Sequence, residues 1–170
     1  MNMNYGCGSV QIPGWVNVDR DDYGQEFRLD LLQGLPFHDD YYELIVASHS
    51  LQELPHDDLL PAFRELHRVI APGGCLRAIV PDVAAAFEAY RDGEIDFFPI
   101  NDNEPSLDDK MCCYINWFGS ARSLFTERRM VDTCLRAGFS AASRVQFGVG
   151  AGGEHDNREP ERCLIVMATK

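Results

Sequence analysis

Gly6-Cys7-Gly8 follows a short, half-apolar opening segment, and Asp19 closes the alternating stretch Trp15-Val-Asn-Val-Asp19. Glycines directly after a strand let the backbone approach a ligand closely, because no Cβ intervenes. A carboxylate at the end of the next strand is placed to accept hydrogen bonds from two ribose hydroxyls. Asp30 and the pair Ser48-His49 end the next two extended pieces. In an open parallel sheet these ends converge at one edge, where ligands bind. The combination describes a nucleoside site.

A dinucleotide would want Gly-x-Gly-x-x-Gly opening a long helix, whose N-terminus holds the pyrophosphate. This loop lacks both the third glycine and the helix, since Pro13-Gly14 leaves room for a turn or so before Trp15. A sulfonium cofactor has no phosphates, only an amino acid end that backbone amides and carbonyls can hold, and suits the truncated loop better.

Among the five histidines, His49 alone falls at a strand end on this edge, which makes it the candidate for a base or for orienting an acceptor; the competing and favoured reading is local packing. Asp82, after the fifth strand, is a candidate for orienting an acceptor and, on the favoured reading, a helix N-cap. Glu53 either faces the site or is a solvated charge at a helix start. His155-Asp156 lies in the loop between the last two strands, beside the glycine-rich run 148–153. Tyr114, Trp117 and Phe118 can wall an acceptor pocket, although helical spacing favours core.

The elements that must position these residues alternate. Tyr42 to Ser48 is a nearly continuous apolar run, suited to a central strand covered on both faces. Asp57 or Asp58 caps a helix carrying Leu59, Phe63, Leu66 and Ile70, ended by Pro72-Gly73-Gly74. Cys75 to Val80 is the next strand, and Pro81-Asp82 caps a helix with Val83, Phe87 and Tyr90 on one face. Ser106 caps another, and Thr126 starts a helix burying Met130, Val131, Cys134 and Leu135 before Gly138. Leu29-Asp30-Leu31, Ala141 to Phe147 and Cys163 to Thr169 are the remaining extended segments. The class is α/β.

A chain of 170 residues with 45% hydrophobic content is expected to form a single domain, 1–170, with a helical insertion at about 84–123. The net charge of -12 repels phosphate backbones, which argues against a nucleic-acid partner. The apolar runs fall far below the roughly 20 residues that span a bilayer; with no basic region preceding an apolar segment at the N-terminus, the expectation is a soluble, cytoplasmic protein without membrane partners. None of the six cysteines has chelate or framework spacing, so reduced thiols and no metal site are expected.

Tyr5-Gly-Cys-Gly8, Pro13-Gly-Trp-Val-Asn-Val-Asp19, Leu35-Pro-Phe37, Leu44-Ile-Val-Ala-Ser-His49, Arg68-Val-Ile-Ala-Pro-Gly-Gly74 and Val80-Pro-Asp82 resemble the successive motifs of the class I S-adenosylmethionine-dependent methyltransferases, closest to the small group sharing the Type 11 methyltransferase domain. The resemblance returns in Phe125-Thr-Glu-Arg, Ala137-Gly-Phe139, Asp156-Asn-Arg158 and Cys163 to Lys170. It implies a Rossmann-like seven-stranded, mostly parallel sheet with helices on both faces and an antiparallel last strand. It also implies a cofactor site of Tyr5, Gly6, Cys7, Gly8, Asp19, Arg20, Asp30, Leu31, Ser48 and His49. His49 and Asp82 are the catalytic candidates, and S-adenosyl-L-methionine is the cofactor. Relatives read His-x-Leu-Glu-His after the fourth strand, whereas this chain has His49-Ser-Leu-Gln-Glu53, and the helices that often precede the first strand are missing. Cover must come from the middle insertion, from a partner subunit in a homodimer, or from nowhere. The expected activity is methyl transfer to a small-molecule or sugar acceptor; the alternatives are a catalytically inactive binding module and a nicotinamide-dependent oxidoreductase.

Overall fold

The computed structural model describes residues 1–99, 106–156 and 160–170. Asn157 and Arg158 of the resembling segment lie outside the described residues, as does the Phe118 side chain. Strands β1 (Asn2–Tyr5), β2 (Val16–Asp19), β3 (Phe27–Arg28), β4 (Tyr42–Ser48), β5 (Ile70–Pro81), β6 (Ala141–Arg144) and β7 (Cys163–Thr169) form one sheet in the order β3-β2-β1-β4-β5-β7-β6. The pairings from β3 through β5 are parallel, and β7 runs antiparallel to both its neighbours. β4 is central, as its apolar run requires. The third strand comes two residues earlier than Leu29-Asp30-Leu31 suggests, because Asp30 caps a 3-10 turn, accepting from the Leu32 amide at 3.0 Å. β6 stops at Arg144, short of Phe147.

Helices α1 (Leu59–Val69), α2 (Val83–Asp92), α3 (Leu107–Asn116) and α4 (Glu127–Ala137) complete the fold. Asp82, Ser106 and Thr126 cap the last three through their side chains. Asp58 makes no such bond at α1, which a 3-10 turn at His56–Asp58 precedes instead. Pro72-Gly73-Gly74 lies within β5, where the register against β4 shifts between the Tyr42 and Leu44 pairs. α2 buries Val83, Ala86 and Ala89 and leaves Phe87 and Tyr90 exposed, so its small residues and not its rings face inward. In α4, Met130 and Cys134 are buried while Leu135 is exposed.

The sheet's two faces are dressed differently. Met3, Tyr5, Ile45, Ala47, Leu76, Ala78, Leu164 and Val166 pack beneath α1 and α4 in the main core. The alternate residues Leu44, Val46, Ile79, Cys163 and Ile165 form a second cluster whose cover is Trp15, Cys75 and Val145. α2 and α3 pack on each other through Ala86, Ala89, Met111 and Tyr114, and Trp15, Cys75 and Val145 pack against the second cluster. No helix among the described residues is long and apolar enough to cross a membrane.

None of the six cysteines is joined in a disulfide. Cys112 is exposed; Cys134 is buried, and burial pushes its thiol up to about 12. At pH 8 a thiol reagent is expected to modify Cys112 first and Cys134 only on unfolding, with six thiols titrated after denaturation without reductant. Four or fewer would contradict this structure.

Candidate functional site

A cleft of about 920 Å³ opens along the carboxyl ends of β1, β2 and β4, a volume within the usual range for small-molecule sites. Of the residues the sequence nominates, Tyr5, Gly6, Cys7, Gly8, Asp19, Arg20, Asp30, Ser48 and His49 line it.

The glycine loop is held from both sides. The Cys7 amide donates to the Val18 carbonyl at 3.1 Å, and the Gly8 amide donates to Asp19 Oδ2 at 2.8 Å. Asp19 Oδ1 accepts from the Asp21 amide at 3.0 Å. Each carboxylate oxygen retains a lone pair for a further donor. Gly6 and Gly8 have φ of 65° and 51°, and a Cβ on Gly6 would collide with the Ser50 side chain. Both glycines are therefore dictated by backbone shape, Gly6 by close approach as well. Burial, with Asp19 nearby, pushes the Cys7 thiol up to about 11, so it is no thiolate at neutral pH.

Sequence reasoning missed the two asparagines that shape the next segment. Asn4 Nδ2 donates to Asn17 Oδ1 at 3.0 Å and to the Val10 carbonyl at 2.8 Å. Asn17 Oδ1 also accepts from the Ile12 amide at 2.8 Å, while its Nδ2 donates to the Ile12 and Trp15 carbonyls. This pair holds 9–15 as a loop. The available signal was a buried-type strand position occupied by asparagine on adjacent short strands.

His49 has a φ of 52°, unusual for a residue with a Cβ. Its amide donates to the Ile79 carbonyl at 2.8 Å and its Nε2 lies 3.5 Å from Cys163 Sγ. The ring is 6.3 Å from that of Trp117. Trp117 lines the cleft, whereas Tyr114 is core. Glu53 also lines the cleft, half-buried; burial raises its carboxyl pKa, opposed by Arg20 at 3.8 Å. Gln52 is buried and donates to the His49 carbonyl at 2.7 Å.

Two nominated residues stand elsewhere. Asp82, 1% exposed, caps α2 by accepting from the Ala84 and Ala85 amides and pairs with Arg144 at 2.9 Å; it does not line the cleft. Its carboxylate is engaged as a helix cap and in an ion pair, outside the cleft. Leu31 is packed in the main core, and its neighbour Leu32 lines the cleft instead.

The wall facing Trp15 is built by the glycine-rich loop. Arg77, on the second face of β5, is wholly buried and forms a bidentate pair with Asp156 at 2.7 and 2.5 Å. Arg77 Nη1 donates to the Val149 carbonyl, and Asp156 Oδ2 accepts from the Gly148 amide. Gly152 lies so close to Val46, Leu44 and Arg77 that a Cβ would meet all three within 3.3 Å. The loop thereby presents Glu154 and His155 to the cleft, with the His155 ring set edge-on against Trp15 at 4.7 Å.

A family described as a methyltransferase domain matches residues 12–78. The fold is shared with an S-adenosylmethionine-dependent methyltransferase of Thermotoga maritima at 16% identity and TM-score 0.65, over 99% of this chain and 81% of that one. It is also shared with one from Mesorhizobium loti at 16% identity and TM-score 0.61, over 99% and 90%. The trans-methyltransferase CalH, solved in complex with SAH, aligns at 14% identity and TM-score 0.56, over 99% of this chain and 51% of that one. Residues 12–78 thus match a methyltransferase domain, and the chain as a whole shares the fold of these enzymes. The motif resemblance is borne out, and so is the seven-stranded sheet it implied. No curated protein matches the sequence.

The buried pair yields an expected outcome. Asp156→Ala strands the Arg77 guanidinium in apolar surroundings and should cost about 3 to 5 kcal/mol, lowering the unfolding midpoint by on the order of 10 °C. Replacing both partners, Arg77→Met with Asp156→Leu, should recover most of that loss. Thermal unfolding followed by circular dichroism checks both.

Proposed function

We propose that this chain binds S-adenosylmethionine along the cleft and transfers its methyl group to a small-molecule acceptor. The observation that carries the reading is Asp19: a carboxylate at the end of β2, tied to the Gly8 amide, with lone pairs left for two ribose hydroxyls. Asp30 and Leu32 line the cleft beyond β3 and are available to an adenine, and the open backbone at Gly8, with nothing within 4 Å of its Cβ position, suits the methionine end. A dinucleotide fits less well, because loop 9–15 offers no helix N-terminus for a pyrophosphate.

When bound, the cofactor supplies an activated methyl group on a good leaving group, so the protein's task is mainly alignment. The clamped glycine loop fixes the cofactor's position relative to β4, whose end presents Ser48 and His49. His49, held by the Ile79 carbonyl and beside Cys163, is the base available to an acceptor hydroxyl or protonated nitrogen. Glu53, with its carboxyl pKa raised by burial, is the cleft's second proton acceptor.

Asp19→Ala would remove the ribose acceptor and also untie two backbone amides, so it confounds binding with loop order. Asp19→Asn is the milder variant, since its remaining oxygen can still accept from one of the two amides. It keeps the size but turns one acceptor into a donor, and should weaken S-adenosylmethionine by about ten- to a hundredfold in calorimetric titration. An unchanged affinity in the folded variant would overturn the proposal.

A further inference from the structure

We infer that the methyl acceptor is a monoanion, an aromatic or apolar carboxylate, whose charge Arg122 holds on the β4 side of the cleft. The inference rests on the cofactor reading above and adds the acceptor's chemical class.

The cleft's charges are unevenly committed. Arg20 sits among carboxylates: it pairs with Asp21 at 3.4 Å and with Glu53 at 3.8 Å, and Asp30 also acts on it. His155 lies 3.5 Å from Glu154. Arg122 lines the same cleft, and among the described residues its guanidinium has no carboxylate within salt-bridge distance and no side-chain hydrogen bond. It is not among the charges acting on Glu53. Arg122 is exposed at the cleft, so its guanidinium is accessible to a ligand. A guanidinium presents a fixed fork of donors that matches a carboxylate.

The backbone beneath Arg122 is pinned. The Arg122 and Ser123 amides both donate to the Gln52 carbonyl, at 2.8 and 2.9 Å, and Ser123 Oγ donates to the Leu54 carbonyl at 2.7 Å. The arginine is therefore anchored to the segment that follows β4, the strand end that carries His49. Trp117 lines the same cleft, its ring set edge-on to Tyr114 at 5.8 Å, as do Leu54 and Pro55. A cleft lined by one accessible guanidinium, an indole and two apolar side chains suits a ligand with a flat or apolar body and a single anionic end. Asp19, Asp21, Asp30 and Glu53 along the rest of the cleft disfavour a ligand with several negative charges.

The test titrates phenylacetate and its neutral analogue phenylacetamide into protein saturated with S-adenosylhomocysteine. Phenylacetate is expected to bind at least about tenfold more tightly than the amide, as one charge-assisted contact implies. Arg122→Gln should erase that preference, and Arg122→Lys should retain part of it, while both leave S-adenosylhomocysteine affinity within about twofold of the parent, a negligible free-energy change. Equal binding of acid and amide, or none of either, overturns the inference while the cofactor reading stands. A large loss of S-adenosylhomocysteine affinity in Arg122→Gln also overturns it, because the guanidinium would then serve the cofactor's own carboxylate. Failure of the parent to bind S-adenosylhomocysteine removes the cofactor reading, and this inference with it.

Discussion

The buried Arg77–Asp156 pair is the contact on which the site's construction depends. One face of the sheet is closed in the ordinary way, by the apolar sides of α1 and α4. On the other face the glycine-rich loop lies against Leu44 and Val46, and a loop cannot bury its polar backbone there without partners. Arg77 supplies them: it takes the Val149 carbonyl and fixes Asp156, which in turn takes the Gly148 amide. A pair this deeply buried contributes little net stability against apolar residues of the same volume. What it contributes is a unique arrangement of the loop that presents Glu154 and His155.

That arrangement propagates across the cleft. His155 meets Trp15, and Trp15 ends the loop that Asn4 and Asn17 hold in shape. The far end of that loop is the glycine turn clamped by Asp19. The cleft is therefore bounded by short loops tied to strand ends rather than by a helix on one side. Loop 148–156 lines the cleft through Glu154, His155 and Asp156, and Trp117, Ser120 and Arg122 bring part of the 84–123 segment to it.

Much of this is legible in the sequence because it follows from local rules. The caps at Asp82, Ser106 and Thr126 and the Gly138 stop are side-chain and backbone effects confined to a few residues. β4 and β7 are read with their observed bounds because continuous apolar runs mark strands buried on both faces. The glycine turn and Asp19 are adjacent because parallel strands bring their carboxyl ends together. The misreadings come from long-range packing. Phe87 and Tyr90 share a helical face, yet α3 packs against the alanines of α2. Arg77 sits inside a strand where alternation says only that it faces away from the main core, and its partner lies 79 residues away. Asp82 met two readings in sequence, and the cap, with Arg144 beside it, is the one the structure shows.

The central claim is that Asp19 and the glycine turn together hold the nucleoside end of S-adenosylmethionine. A crystal structure of the protein with S-adenosylhomocysteine measures this directly. The account requires the ribose hydroxyls within about 2.5 to 3.2 Å of the Asp19 carboxylate oxygens, with the Gly8–Asp19 bond retained and the amino acid end against the 6–8 backbone. A ligand bound with its ribose away from Asp19, or outside the cleft lined by Gly6 and His49, would contradict it.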